Sequence, residues 1–183
     1  MLLPLEESLG IVEKIAKTFA YFHDHALIYA DLKDKNLLYD KRKLTLFDFG
    51  MSSDKVQVDS EGNVFIYSVL SNAEYASPET MMLGRCYKQS DIFQLGILLY
   101  KLVTGSHPFT EGIATTEYQD KSSELLTFSL ANLWRQPDFT HPKLAGQSMV
   151  VDLLEGMLDK DYRKRPSAQQ VYEQLQCNRE EAA

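Results

Sequence analysis

The sequence has few of the features that mark secreted, membrane and metal-binding proteins. Its 183 residues include two cysteines, Cys86 and Cys177, which lie far apart and outside any metal-ligand spacing. We therefore expect two free thiols in a reducing compartment. No apolar run approaches the roughly 20 residues that span a membrane, and the start of the chain has no basic leader of the signal-peptide kind. These absences predict a soluble, cytoplasmic protein without a membrane partner.

Positive charge is also scarce, since the net charge is -7 and the isoelectric point is about 5.1. This disfavours a broad nucleic-acid surface, and we expect no nucleic-acid partner. The basic cluster at residues 41–43 is interpreted as a solvated turn. Hydrophobic residues make up 44% and charged residues 25%, which is ordinary for a globular protein. The length suits one domain, residues 1–183, with a substantial core.

Helical periodicity dominates the chain. Residues 8–25 place apolar side chains on one broad face, with Ser8 as the candidate N-cap. Residues 91–104 are apolar nearly all round, which indicates a buried central helix. Two closing helices are predicted within residues 147–177, and Ser167 is the expected cap of the second.

β-structure is predicted in a small part of the sequence. Two short apolar runs, residues 37–39 and 44–47, are separated by a turn-like segment and predict a hairpin. Residues 51–74 are polar and lack a helical period, so we expect a long loop with a short strand within residues 64–70. Loops of this length in compact domains are usually functional. The predicted fold class is mainly α with a small β-hairpin.

Two acids, an amine and an amide cluster around this hairpin. Asp31, Lys33 and Asn36 precede its first strand in the segment IYADLKDKN, and Asp48 opens DFG after its second strand. Folding of the hairpin returns Asp48 to Asn36, and this oxygen-rich pair suits Mg²⁺ carried by a phosphate ligand. Asp31 is then available as a base, and Lys33 as a cation for a transferring phosphoryl group.

The order of these motifs resembles that of eukaryotic-type protein kinases. Five motifs carry the resemblance: the catalytic loop YADLKDKN (29–36), the metal motif DFG (48–50), EYASPE (74–79) at the end of the activation segment, the central helix and its exit (90–109), and the Arg-Pro turn with the closing helix (159–175). The activation segment would span residues 48–79. The resemblance covers nearly the whole chain and implies the large, C-terminal lobe of a kinase.

The resemblance also implies roles for the clustered residues. Asp31 would be the catalytic base that accepts the substrate hydroxyl proton. Lys33 would steady the γ-phosphate, and a lysine two residues after the base is typical of Ser/Thr specificity. Asn36 and Asp48 would hold Mg²⁺, and together with Leu38 they would bind ATP.

Other residues would have structural roles in such a lobe. Tyr29 and Phe49 would belong to the hydrophobic stack that is aligned in the active state. Asp91 would anchor the catalytic loop through its backbone amides. Glu79 would pair with Arg165 in a partly buried ion pair, of which neither partner is easily lost.

The sequence departs from the family pattern at three places. Ala30 stands where the family usually has the arginine that pairs with a phosphorylated activation loop, so control by loop phosphorylation is not expected. Ser71 and Asn72 replace the usual Gly-Thr, and Asn72 is expected to hydrogen-bond to Asp31. No Gly-rich loop or Val-Ala-Ile-Lys strand is found, so we expect the N-terminal β lobe to be absent. Apolar surface near Leu38 and Phe49 should then be exposed, and the activation segment poorly fixed.

Three functions fit these observations. The first is phosphoryl transfer from Mg-ATP to Ser/Thr hydroxyls of protein substrates by the catalytic-loop half of a kinase. The second is a catalytically inactive half-kinase that acts as a protein-binding scaffold or regulator through residues 120–145. The third, a small-molecule kinase, is disfavoured because the motifs of a peptide-docking lobe are complete. A small-lobe polypeptide or a regulatory protein is an expected partner.

Overall fold

The computed structural model describes residues 3–40, 43–68, 72–110 and 121–181. These residues form six α-helices, which are α1 (Leu5–Asp24), α2 (Pro78–Leu83), α3 (Lys88–Thr104), α4 (Lys121–Trp134), α5 (Ser148–Met157) and α6 (Ala168–Glu181). Short 3₁₀ turns lie at Asp34–Asn36, Pro142–Leu144 and Tyr162–Lys164. Both cysteines are free thiols. No helix in the described ranges is long and apolar enough to cross a membrane.

The strands form two small antiparallel sheets. The first is the predicted hairpin of β1 (Leu37–Tyr39) and β2 (Leu44–Leu46), and the second has the order β3 (Gln57–Val58), β4 (Val64–Tyr67), β5 (Arg85–Tyr87). The predicted fold class, mainly α with a small hairpin, is confirmed. Strand β4 is the short strand predicted within residues 64–70. Its pairing with β5 was not predicted, because β5 follows α2 and local sequence does not reveal so distant a pairing.

Helix α3 lies at the centre of the core. Its side chains are buried on nearly every face, and it packs against α1 on one side and α5 on another. At Gly96 the approach is very close, because a Cβ there would lie 2.9 Å from Leu158 Cδ2 and 3.0 Å from Met157 Cβ. The absence of a side chain at this position therefore sets the distance between α3 and the end of α5.

The first residues of α1 and α6 can be compared with the predicted caps. Helix α1 begins three residues earlier than predicted, after Pro4, and the predicted cap at Ser8 is wrong because Ser8 is a buried residue within the helix. Ser167 does cap α6. Its Oγ accepts from Gln170 N at 3.2 Å, and its own N–H donates to Gln170 Oε1 at 2.8 Å, which is a reciprocal capping arrangement.

The close packing at Gly96 predicts that Gly96→Ala destabilises the protein. The added methyl group forces α3 away from α5, and overpacking of this kind costs about 1–3 kcal/mol. Urea unfolding followed by circular dichroism measures the loss.

Gly156→Ala in α5 is the matched control. The nearest atom to a Cβ at Gly156 is Pro166 Cδ at 3.6 Å, an ordinary contact, and alanine is the better helix former by up to about 1 kcal/mol. Equal stability changes in the two variants would contradict the packing argument.

Candidate active site

Asp91, in the first turn of α3, holds the chain that leads into the clustered residues. Its side chain is fully buried. Oδ1 accepts from Ala30 N at 2.8 Å, and Oδ2 accepts from Tyr29 N at 3.0 Å. His23 Nε2 lies 2.9 Å from the same Oδ2. The predicted anchoring of this loop through backbone amides is therefore present in the structure.

Gln94 extends this attachment by one turn of α3. Its Oε1 accepts from Leu32 N at 2.9 Å, and its Nε2 donates to Ala30 O at 3.3 Å. Buried backbone groups need such partners. The two side chains together hold Ala30 at a φ of 65°, a left-handed conformation that residues other than glycine adopt at a cost.

Asp31, Lys33 and Asn36 meet directly after this bend. Lys33 Nζ lies 2.8 Å from Asp31 Oδ2. Asn36 Nδ2 donates to the same Oδ2 and to the Asp31 carbonyl, both at 2.9 Å. The Asp31 carboxylate is therefore oriented by a cation and an amide. Because the Asn36 amide nitrogen is used in this way, the amide oxygen is the atom of this side chain that could hold a metal.

The hairpin returns Asp48 to this cluster, as predicted. The N–H of Phe47 donates to Asn36 O at 3.2 Å, so the residue after it, Asp48, begins next to Asn36. Asp48 has a φ of 62° and an exposed side chain. One carboxylate and one amide oxygen match the few protein ligands that Mg²⁺ takes when phosphates supply the others. Within the described residues no group of three or more His, Cys, Asp or Glu side chains is arranged for a metal.

The phenol of Tyr29 lies near three carboxylates, which affect its pKa. Burial raises the pKa of its phenol, and the charges of Asp31, Asp48 and Asp91 raise it further. The hydroxyl donates to Phe47 O at 2.5 Å. The tyrosine thus remains neutral, and it ties the start of the loop to the chain that leads to Asp48.

The predicted aromatic contact between Tyr29 and Phe49 is present, with ring centroids 5.2 Å apart in an edge-to-face arrangement. Phe22, at the end of α1, adds a second edge contact to Phe49 at 5.9 Å. Phe49 is nevertheless 46% exposed and Leu38 is 64% exposed. The predicted apolar surface beside the cluster is therefore confirmed.

The predicted ion pair between Glu79 and Arg165 is fully formed and buried. Arg165 Nη1 and Nη2 lie 2.8 and 2.9 Å from the two Glu79 oxygens. Burial opposes the charge of Glu79, but Arg165 and the hydroxyl of Ser90 outweigh it and hold the pKa of the carboxyl below its usual value. The pair joins α2 to the turn before α6.

Polar side chains also hold the chain just before α2. Asn132, which is buried in α4, donates from Nδ2 to the carbonyls of Ala73, Glu74 and Ala76 at 3.0–3.1 Å. His107 Nε2 donates to Glu74 O at 2.9 Å, and Lys101 pairs with the Glu74 carboxylate. Asn132 and His107 therefore hold the backbone of this segment, and Lys101 holds the side chain of Glu74.

The segment also contains the residues predicted for substrate docking. The Asn72 side-chain oxygen accepts from Glu74 N at 3.1 Å, so it stabilises the local turn. Ser71 lies outside the described residues. The expected hydrogen bond from Asn72 to Asp31 stays a prediction.

The contacts of His23, Gln94 and Asn132 were not predicted from the sequence. Each side chain makes its contact across more than 55 residues of sequence. His23 and Gln94 stand on helices and no local spacing connects them to the loop. One signal was available, because Gln94 is a polar residue one turn after Asp91 in a helix that is otherwise apolar.

The fold is that of a protein kinase large lobe. It is similar to the twitchin kinase fragment of C. elegans with a TM-score of 0.72 and 22% sequence identity, over 94% of this chain and 36% of that chain. The family model described as protein kinase domain matches residues 2–175. The chain therefore belongs to the protein kinase family.

Several curated kinases are similar in sequence. Serine/threonine-protein kinase PrkC of Bacillus subtilis is 35% identical over 105 residues, 57% of this chain and 16% of that protein. CDPK-related kinase 3 of Arabidopsis thaliana is 31% identical over 173 residues (92% and 26%), and serine/threonine-protein kinase pkn2 of Myxococcus xanthus 28% over 171 (91% and 20%). The chain thus spans about a quarter or less of these relatives.

The anchoring contacts predict that Asp91→Asn destabilises the fold by about 2–4 kcal/mol. An amide at this position turns N–H groups toward backbone N–H donors, so a buried donor loses its acceptor. Thermal unfolding measures the loss. Asp152→Asn, the same change at an exposed position of α5, should shift stability by less than about 0.5 kcal/mol, and equal effects in both variants would contradict the anchoring role.

The buried imidazole of His107 should make the stability of the protein depend on pH. Burial lowers the pKa of its imidazole from 6.5 to about 4, and the neutral ring donates to Glu74 O while Nδ1 accepts from Phe109 N. In the unfolded chain this histidine takes up a proton near pH 6.5, whereas the folded protein remains neutral to about pH 4. Stability should therefore fall as the pH is lowered through this window.

The matching variant is His107→Gln, which keeps an amide donor but does not titrate. Its unfolding free energy, measured with urea between pH 7 and pH 4, should fall less steeply with decreasing pH than that of the wild type. The difference in slope should correspond to about one proton fewer taken up on unfolding. An unchanged slope would show that His107 is not held neutral in the fold.

Proposed function

We propose that this chain is the catalytic lobe of a Ser/Thr protein kinase, which transfers a phosphoryl group from Mg-ATP to serine or threonine hydroxyls of protein substrates. The observation that carries the proposal is the cluster in which Lys33 and Asn36 both contact one oxygen of Asp31, at 2.8 and 2.9 Å. Membership of the protein kinase family supports the same chemistry.

Asp31 is the proposed base. Its carboxylate is almost fully buried and is oriented by two donors on Oδ2, so it can take the proton of a hydroxyl that attacks phosphorus. Lys33 lies next to it with a partly exposed side chain and stabilises negative charge on the group in transfer. Positioning and charge stabilisation are the main contributions that a protein makes to phosphoryl transfer.

The nucleotide would lie on the hairpin side of the cluster. Mg-ATP supplies the phosphoryl group, and the metal partly neutralises the phosphate charge. The Asn36 amide oxygen and the exposed Asp48 carboxylate are the proposed metal ligands. Leu38, exposed on β1, offers an apolar surface to the adenine ring.

Serine or threonine specificity is proposed from Lys33, two residues after Asp31. The protein substrate would lie along the segment before α2, whose carbonyls Asn132 holds in place. A small-lobe polypeptide is the proposed partner on the exposed surface of Leu38 and Phe49. The cytoplasmic location expected from the sequence stays a prediction.

One observation favours a second function, a protein-binding scaffold or regulator. Leu126, Leu130 and Trp134 recur every four residues on α4, and each is at least 49% exposed. Residues at this spacing share one helix face, and an exposed apolar stripe on a helix is typical of protein-binding surfaces. This role does not require nucleotide binding.

Nucleotide binding and transfer separate the two functions. Calorimetry with ATP and Mg²⁺, and transfer of labelled phosphate to a mixed Ser/Thr peptide substrate, should be measured with and without a separately expressed kinase small lobe. We expect Asp48→Ala to abolish Mg-dependent binding. Asp31→Asn should lower kcat about 10²- to 10⁴-fold while ATP binding persists, because its side chain faces the hydroxyl and not the nucleotide.

Asp152→Asn serves again as the control for loss of one negative charge outside the cluster. It should leave binding and transfer unchanged. If the wild-type chain neither binds Mg-ATP nor transfers phosphate in either condition, catalysis is excluded and the scaffold function is favoured.

A further inference from the structure

A small apolar cluster lies behind the catalytic loop, separate from the main core. Its four buried members are Ile28, Ala30, Ile66 and Cys86, with exposed fractions of 0–6%. Ala30 belongs to the loop, Ile28 lies just before it, Ile66 is in β4, and Cys86 is in β5. The cluster therefore joins the residue before Asp31 to the second sheet, which lies within and just after the activation segment.

The pairing of the strands explains why Ile66 faces inward. Successive side chains of a strand point to opposite faces, so Phe65 and Tyr67 share the face that Ile66 does not. Phe65 packs on Tyr87 with ring centroids 5.6 Å apart, and Tyr67 is 70% exposed. The register places Ile66 opposite Cys86, so both point toward the loop.

The sheet is attached to the body of the protein independently of the loop. Tyr87 stacks on Tyr162 with ring centroids 4.2 Å apart, and its hydroxyl donates to Asp59 Oδ2 at 3.2 Å. The Asp59 carboxylate in turn accepts from Asn63 N at 2.8 Å, which closes the turn between β3 and β4. Ile66 is consequently presented from a fixed support.

Ala30 receives two kinds of contact. Its backbone is held by Asp91 and Gln94, and its side chain lies in the apolar cluster. Its backbone is also in the left-handed region, which must be maintained by the surroundings. The backbone conformation of Ala30 sets the direction in which the chain continues to Asp31.

We infer that Ile66 and Cys86 are positioning residues for Asp31, which act through the side chain of Ala30. The role of Asp31 rests on the proposed function, whereas the packing that places it does not. Every member of the cluster is uncharged, and burial raises the pKa of the Cys86 thiol, so it stays protonated. The apolar packing thus adds to the backbone pairing of Ile28 with Ser53 in attaching the activation segment to the loop, and this packing needs no added phosphate.

Amide hydrogen exchange of the whole chain, followed residue by residue by NMR, tests the inference. The reporters are the N–H groups of Tyr29, Ala30 and Leu32, which donate hydrogen bonds to Asp91 and Gln94. Ile66→Ala should speed their exchange about tenfold or more, because the loop opens locally when its apolar support is truncated. Ile66→Val, which keeps most of the side chain, should raise exchange by about two- to threefold.

Tyr67→Ala is the matched control, since it truncates the neighbouring side chain, which is largely exposed and lies on the opposite face of the strand. It should leave the three reporters unchanged. The inference is overturned if Ile66→Ala speeds exchange in β3 and β4 but not at Tyr29, Ala30 and Leu32, because Ile66 would then stabilise the hairpin alone.

The experiment can contradict the inference even if one variant fails to fold or the chain has no kinase activity. If Ile66→Ala fails to fold, the comparison of Ile66→Val with Tyr67→Ala decides, and equal exchange in those two variants overturns the inference. Exchange reports the loop backbone whether or not the chain transfers phosphate. A chain without kinase activity that shows the expected exchange pattern would contradict the proposed function and leave the packing inference standing.

Discussion

The buried carboxylate of Asp91 is the interaction on which the rest of the site depends. A charge removed from water is tolerated when hydrogen bonds compensate it. Here the compensation comes from Tyr29 N, Ala30 N and the His23 ring. The same contacts satisfy two backbone donors of a buried loop, which also need partners. The Asp91 carboxylate and the backbone N–H groups of the loop therefore make each other's burial possible. The position of α3 consequently determines the position of the loop.

The other contacts of the site connect Asp91 to the clustered side chains through residues that are neighbours in sequence. Ala30 is held by α3, and Asp31 follows it directly. Asn36 contacts Asp31, and the backbone of Asn36 accepts from Phe47, which leads to Asp48. Buried side chains of α3 thus hold the backbone next to Asp31 and Lys33, and the buried Tyr29 holds the backbone next to Asp48. Such support from rigid elements keeps a catalytic arrangement close to one geometry.

The sequence predicts those parts of the fold that depend on local pattern. The helix at residues 91–104 and the hairpin of β1 and β2 are recognisable because their apolar periods are contained in short windows. Ser8 misled as a cap because Pro4, four residues before it, already starts the helix. The cap residue alone does not determine the start.

The parts that were not predicted depend on distant pairing. Strand β5 pairs with β4 across a segment that includes α2, and His23 meets Asp91 across 68 residues. No period or spacing encodes such contacts. Asp31, Lys33, Asn36 and Asp48 were nevertheless found together, because they flank one hairpin and only its closure was needed to predict their proximity.

Helix α4 connects the two proposed functions physically. Its buried face contributes Asn132, whose amide holds three carbonyls of the segment before α2, and Lys160 donates to the Asn132 carbonyl at 2.6 Å. Its exposed face presents Leu130 and Trp134. Because one rigid helix carries both faces, a protein that shifts α4 by binding its apolar stripe must also shift those carbonyls or break their hydrogen bonds. The two proposed functions, scaffolding and positioning of a protein substrate, would therefore be coupled through α4.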